Sequence, residues 1–254
     1  AWTYGLLYVL KFLNRPAYLM GHVSEDGFWL YFPVVFAVKT PLPMLLLLLA
    51  TLGIWLLRRR TRMPDFFLLI PVVIYFSFAV WSRMNIGLRH LLPIYPFLFV
   101  LAGGTAVELW ASGRRSLRLG LLFLGLWYLW SSVNIYPHYL AFFNEFAGGA
   151  KNGYKVLADS SLDWGQDLKG LKRWMDQNGV KKIRLAYFGT ADPIYYGIDA
   201  GYMPGSLIFS PRPESKNPEA PRYIAVSATY IYGVDSGKPL KEFYKPLRFR
   251  KPVA

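Results

Sequence analysis

Four long apolar runs in the first half of the chain constrain its fold more than any other feature. Residues 41–57 read PLPMLLLLLATLGIWLL without a single charge, and similar runs cover 66–81, 91–111 and 119–135. At about 1.5 Å per residue, a helix of this length covers most of a hydrocarbon layer roughly 30 Å thick. Lipid offers no partner to backbone amides, so we predict four membrane-spanning helices. The alternative, buried helices of a soluble protein, calls for polar faces that these runs lack.

The composition agrees with a membrane protein and argues against a purely soluble enzyme. Hydrophobic residues make up 54% of the 254 residues and charged residues only 17%, too few to cover a water-soluble particle. The net charge of +14 is distributed over both halves, so we expect no nucleic-acid partner. The absence of cysteine excludes disulfides and thiolate metal ligands. Because the chain opens with Ala-Trp-Thr, we expect it to be a fragment that lacks upstream sequence.

Two basic links predict the orientation of the runs in the membrane. Arg58–Arg62 joins the first pair of spans and Arg114–Arg118 the last pair, and short basic loops stay on the cytoplasmic side. A multi-pass protein of the inner (plasma) membrane follows, with residues 136–254 extracytoplasmic. Residues 28–38 are too few to cross and are predicted as an interfacial helix. Residues 1–13 form a second interfacial helix or the end of a truncated span, and the sequence leaves both open.

The hydrophobic periodicity changes after the fourth run. Residues 154–158 and 183–188 resemble short strands, and they flank 164–177, where apolar residues recur at helical spacing. Residues 222–230 are a third strand candidate. The predicted fold is therefore an α-helical polytopic membrane domain over 1–135, followed by a small extracytoplasmic α/β domain over 136–254.

Ionisable residues collect on the predicted outer side of the spans. They are His22, Glu25, Asp26, Lys39, Arg83, Arg89 and His90. A cationic cluster beside a helix entrance suits a phosphate group, because arginine offers a planar fork of donors and lysine a point charge. The alternative is that these side chains anchor the protein at lipid headgroups. For the Arg89-His90 pair the phosphate interpretation is favoured, since cations on the outer side oppose the positive-inside rule.

The acidic loop at 159–167 allows three interpretations. Asp159, Asp163 and Asp167 recur every four residues, as calcium ligands could. Asp163 followed by Gln166 also fits a helix N-cap with a capping-box partner, which explains that carboxylate without a metal and is favoured. Thirdly, the loop could bind an acceptor or a sugar, with Trp164 as a stacking surface or as a buried anchor. We therefore predict no metal site.

Four segments resemble a known family. They read GFWLYFPVVFAVKTPLP at 27–43, NIGLRHLLPIYPF at 85–97, YPHYLAFFNEFAGG at 136–149 and DSSLDWGQDL at 159–168. Together they resemble the C-terminal portion of bacterial phospholipid-carrier-dependent glycosyltransferases. This is the family 39 group, related to the dolichyl-phosphate-mannose protein mannosyltransferases and the aminoarabinose transferases, with a C-type multispanning fold. The second and fourth segments are the most specific.

The resemblance implies transfer of a sugar from a polyprenyl-phosphate carrier to a glycan, lipid or protein acceptor outside the cytoplasm. It implies no cofactor, because the lipid-linked sugar is itself the substrate. Arg89 and His90 match the family's lipid-phosphate position, with Lys39 as a weaker match. The acceptor-facing or sugar-facing candidates are His22, Asp159, Asp163 and Trp164.

The catalytic base of the family lies in a first extracytoplasmic loop that no segment here matches. We therefore expect the base upstream of this fragment, with Glu25 or Asp26 as weak replacements, and we expect the fragment alone to be inactive. The alternative function is a non-catalytic, membrane-anchored module that binds a glycan or assembles the envelope.

Overall fold

The protein is described here by a computed structural model that covers residues 3–4, 16–58, 63–82, 84–205, 222–232, 238–250 and 252–253. The chain divides into two compact units, residues 1–157 and 158–254. The helix predicted over 1–13 lies almost wholly outside the described residues, as do residues 59–62 of the first basic link.

The apolar runs of the first unit form helices, as predicted. Their bounds are α1 Tyr31–Lys39, α2 Leu42–Arg58, α3 Met63–Trp81, a 3-10 helix Leu88–Ile94, α4 Tyr95–Ala111 and α5 Arg115–Asn134. The run at 91–111 is not uniformly α-helical, because Pro93 lies in the 3-10 segment and Pro96 in the first turn of α4. Proline has no amide proton, and both places need none for an α-helical hydrogen bond.

The length of these helices bears on the predicted spans. Within the described residues, two helices are long and apolar enough to cross a membrane: Leu88–Ala111, which joins the 3-10 helix to α4, and α5. α2 reaches that length only together with α1, and the two are bent by 113°. Thr40 at the bend is extended, as expected for a residue before proline. The apolar part of α3, Asp65–Trp81, is shorter than such a span. The described residues therefore contain two or three candidate spans, whereas the sequence predicted four.

A short hairpin precedes the helices. β1 Ala17–Leu19 pairs antiparallel with β2 His22–Ser24 through a turn in which Met20 and Gly21 both have positive φ. The buried β1 also pairs with the C-terminal end of the first unit. Leu19 forms a β-bridge with Leu157, and the Met20 amide donates to the Val156 carbonyl.

Residues 136–157 belong to the first unit, whereas the sequence analysis assigned them to the second domain. They form three short 3-10 helices, Tyr139–Ala141, Glu145–Ala147 and Ala150–Lys155. The strand predicted over 154–158 is therefore wrong. Tyr154 and Lys155 end a 3-10 helix, and the paired residue Leu157 contacts β1 rather than a sheet in the second unit. The division at 157/158 differs from the predicted boundary at 135/136 because these contacts return the chain to β1.

The second unit is a small α/β fold. α6 Leu168–Gln177 precedes β3 Lys182–Ala186, followed by β4 Asp199–Tyr202, β5 Ile224–Val226, α7 Ala228–Tyr232 and α8 Lys238–Tyr244. The sheet has the order β4-β3-β5 with both pairs parallel. α6 packs its apolar face on the sheet, burying Leu168 and Met175 against Ile183 and Leu185. Part of the predicted third strand, 228–230, is helical instead.

Candidate functional site

A buried asparagine joins the first loop of the chain to the Arg89-His90 segment. The backbone amide of Phe28 donates to the Asn85 side-chain oxygen at 2.5 Å. Phe28 follows the loop that carries Glu25 and Asp26, both of them exposed. The structure thus brings the predicted weak replacement bases onto the same end of the first unit as the predicted phosphate ligands.

α1 then runs beside the 3-10 helix toward α4. The Phe36 ring lies 5.9 Å from the Tyr95 ring, and the Thr40 hydroxyl is 2.6 Å from the Tyr95 hydroxyl. With nine residues at about 1.5 Å each, α1 is roughly 13 Å long. Its beginning therefore lies near Asn85 and its end near Tyr95, so that Lys39 is separated from Arg89 by most of the length of α1.

Lys39 is held by the protein itself. Its side chain is only 6% exposed, and its ammonium donates to the carbonyls of Leu140 and Phe142, both at 2.8 Å. The Phe143 ring covers the same ammonium at 4.0 Å from its centroid. These contacts tie the end of α1 to the segment after α5, so Lys39 acts as a structural link here and its phosphate role stays a prediction.

Asn144 completes this link between α1 and the segment that follows α5. Its side-chain amide donates to the carbonyls of Ala37 and Thr40, at 2.6 and 2.8 Å, and its backbone amide donates to Val38. The last carbonyls of a helix have no partner within the helix, so a buried amide is an effective cap for them. From the sequence, Asn144 is expected only to pack where the last span leaves the membrane. Its capping role was not predicted, because nothing local marks an asparagine as a cap for a helix about 105 residues earlier.

Arg89 and His90 stand at the start of the 3-10 helix. Arg89 is exposed and His90 is half-buried. The buried Nε2 atom of His90 has no hydrogen-bond partner among the described residues. Gly87, directly before the helix, has a φ of 107°, a conformation that glycine adopts without strain and that turns the chain into the helix. His22 is exposed on β2.

An apolar cavity of about 290 Å³ lies among the helices of the first unit. Its walls come from α1, α2, α3 and the continuous helix Leu88–Ala111, and they include Phe36, Thr51, Phe76, Ile94, Leu98 and Leu101. Ile94 is four residues after His90 on the 3-10 helix, a rise of about 8 Å. A cationic segment and an apolar cavity are therefore adjacent on one helix.

The acidic loop of the second unit lies at the carboxyl ends of β3 and β5. The Asp163 carboxylate accepts from the amides of Gly165 and Ala228, at 2.9 and 3.1 Å. Burial raises the pKa of this carboxyl, while hydrogen bonds from Gly165, Ser227 and Ala228 lower it. The predicted role of Asp163 as the cap of a helix over 164–177 is wrong, since it caps the start of α7 instead.

Asp167 is the cap that the sequence analysis assigned to Asp163. Helix α6 begins at Leu168, and the Asp167 carboxylate accepts from the Gly170 amide at 3.2 Å. Gln166 does not complete a capping box, because its amide group bonds the Trp164 amide and the Leu162 carbonyl within the loop. The signal for Asp167 was present in the sequence, since an aspartate directly before the periodic residues is itself an N-cap pattern.

Trp164 and Asp159 take different positions in the same loop. Trp164 is 50% exposed and meets the Phe188 ring edge-on at 5.5 Å. Asp159 is buried and has a φ of 56°, unusual for a residue other than glycine. Among the described residues, no three His, Asp or Glu side chains come together as metal ligands. The loop is thus closed by hydrogen bonds, with one aromatic surface left open to solvent.

Known proteins add no further constraint. No family model, no curated protein and no solved structure matches this chain.

Proposed function

We propose that the chain is the lipid-carrier-binding part of an integral-membrane glycosyltransferase. The enzyme would move a sugar from a polyprenyl-phosphate carrier to an extracytoplasmic acceptor. One observation carries the proposal: the 3-10 helix Leu88–Ile94, which carries Arg89 and His90 in its first turn, continues into α4 and lines an apolar cavity of about 290 Å³ with Ile94, Leu98 and Leu101. A polyprenyl phosphate has the matching shape, an anionic head on an apolar chain.

The chemistry of both ends supports this ligand class. Arginine binds phosphate oxygens through paired, charge-assisted hydrogen bonds. An apolar cavity takes up isoprene units by van der Waals packing against its walls, because lipid tails are as apolar as the cavity and add no hydrophobic driving force. Lys39 has no part in this proposal, because its ammonium is already bound to two carbonyls and a ring.

A membrane location supports the proposal as well. Between Leu119 and Val133 the exposed surface of α5 is apolar and includes Leu122, Phe123, Leu126, Leu129 and Trp130. Such a helix is stable against lipid but not against water. We propose four spans in the orientation predicted by the two basic links, with the second unit outside the cytoplasm and its Trp164 loop facing the acceptor.

The catalytic carboxylate is proposed to come from a loop outside these 254 residues, as the family resemblance implies. Glu25 and Asp26 are the weaker alternative within the chain. They lie at the same end of the first unit as Arg89, because the Phe28 amide that follows them donates to Asn85. The chain by itself should then bind the carrier without transferring sugar.

The direct test is carrier binding by the full chain in lipid nanodiscs. Affinity would be measured for a polyprenyl phosphate and for the corresponding polyprenol, which lacks the anionic head. Arg89→Ala should weaken binding of the phosphate roughly tenfold to a hundredfold, because one charge-assisted contact is worth about 1.5–3 kcal/mol. Arg115→Ala is the matched control, since Arg115 also starts a helix and is exposed. Equal affinities for the Arg89→Ala protein and the unmodified protein would exclude the phosphate assignment.

A second test addresses the cavity. Thr51 is buried in its wall, so Thr51→Phe should fill the cavity and weaken binding of both the phosphate and the alcohol. Leu49→Phe is the control, because Leu49 lies on the same helix with 62% of its surface exposed. Unchanged binding by Thr51→Phe would show that the isoprenoid chain lies elsewhere.

A further inference from the structure

Asn85 carries a buried donor whose role the proposed function does not explain. The residue is only 4% exposed, and its side-chain oxygen is engaged by the Phe28 amide. Its side-chain nitrogen is buried and has no hydrogen-bond partner among the residues that the structure describes. A buried donor left without an acceptor lowers stability, so its retention calls for a reason.

The chemistry of this nitrogen and of the residues that follow Asn85 indicates which class of ligand could bind here. An amide NH₂ can only donate, so its partner must be an acceptor. Asn85 is four residues before Arg89 and five before His90, whose Nε2 atom is likewise buried without a partner in the described part of the chain. An arginine, an amide donor and an imidazole on one short segment match the needs of a group with several anionic oxygens.

We infer that Asn85 is a further binding residue for the carrier phosphate, donating from Nδ2 to a phosphate oxygen while its Oδ1 holds Phe28. This inference rests on the proposed function. It names a residue that lies outside the basic cluster and to which the family resemblance assigned no role. Asn85 thereby couples two events. The same amide that binds the phosphate fixes the loop carrying Glu25 and Asp26, so carrier binding and the position of that loop depend on one side chain.

Two substitutions distinguish the role of the Asn85 side-chain nitrogen from that of its oxygen. Asn85→Asp keeps an oxygen for the Phe28 amide but replaces the donor with a second oxygen that repels phosphate. Asn85→Leu removes the donor without adding a charge and also removes the Phe28 contact. Asn134→Asp is the control for the added negative charge, because Asn134 is exposed at the end of α5.

The experiment measures binding of polyprenyl phosphate and of polyprenol to the full chain in nanodiscs, together with thermal unfolding. We expect both Asn85 variants to bind the phosphate roughly tenfold to a hundredfold more weakly, the range for a hydrogen bond to a charged group. Polyprenol binding should be unchanged in both. The unfolding temperature should fall for both Asn85 variants, because Asn85→Leu loses the Phe28 contact and Asn85→Asp buries a carboxylate. Asn134→Asp should bind both ligands normally.

Three outcomes would overturn the inference. Phosphate binding by either Asn85 variant at the unmodified level would show that Nδ2 does not contact the ligand. Equal weakening for phosphate and polyprenol would assign Asn85 a purely structural role. Weakening by Asn134→Asp to the same degree would assign the effect to long-range charge. If Arg89→Ala weakens phosphate binding in the same assay, the proposed function stands whatever Asn85 does.

Discussion

The contact between Asp163 and the start of α7 leads to a prediction that local sequence would not suggest. Asp163→Ala removes the acceptor for the amides of Gly165 and Ala228, residues on two different elements of the second unit. Asp167→Ala removes the acceptor for a single amide, that of Gly170, at an exposed position. The two substitutions are chemically identical and lie four residues apart, so each is a control for the other.

The magnitudes follow from the number and the environment of these bonds. A hydrogen bond to a charged group contributes about 1.5–3 kcal/mol, and burial of Asp163 opposes its charged form, so the lower value applies. Loss of the two backbone hydrogen bonds alone should cost about 3 kcal/mol. Loss of the α6 cap at Asp167 should cost about 1 kcal/mol. The cost of Asp163→Ala corresponds to a roughly 150-fold larger equilibrium constant for local opening, and the cost of Asp167→Ala to one about fivefold larger.

Hydrogen exchange of the full chain in nanodiscs can read both effects by segment. Asp163→Ala should accelerate exchange in residues 222–232 as well as in the loop at 159–167, whereas Asp167→Ala should affect only the start of α6. Acceleration confined to the loop in both variants would refute the coupling between Asp163 and α7.

The raised pKa of Asp163 also determines the direction in which stability changes with pH. Because the folded pKa exceeds the unfolded one, the stability of the unit should fall as the pH rises through that interval, and Asp163→Asn should abolish this slope.

Three further predictions concern other parts of the chain. With the proposed orientation, a membrane-impermeant thiol reagent should label a cysteine at Asn178 but not one at Ser112 in intact cells, and the reverse labelling would contradict it. Lys39→Met should accelerate exchange in the segment after α5, because two carbonyls lose their donor, and unchanged protection would deny the link. Gly165→Ala should lower the unfolding temperature more than Gly179→Ala, since both have positive φ but only the first would press a Cβ against the Phe188 carbonyl oxygen. Equal shifts would contradict that reasoning.

The sequence by itself was sufficient for the helices of the first unit. Apolar runs of 16 to 21 residues, with Glu108 as their only charged residue, have few alternatives, because length and hydrophobicity act within one segment. The helices α2 and α5 lie within a few residues of the predicted runs, and α1 matches the predicted interfacial helix closely. The bend of 113° between α1 and α2 also has a local signal in the sequence, the proline that follows Thr40.

Tertiary structure alone decided which residues act on one another. Asp163 caps a helix 65 residues later, Asn144 caps one that ends about 105 residues earlier, and Asn85 holds Phe28 across 57 residues. It also assigned residues 136–157 to the first unit, through contacts with α1 and β1. Periodicity and capping patterns report only the next few residues along the chain, whereas a buried donor is satisfied by whatever acceptor folding brings within about 3 Å of it.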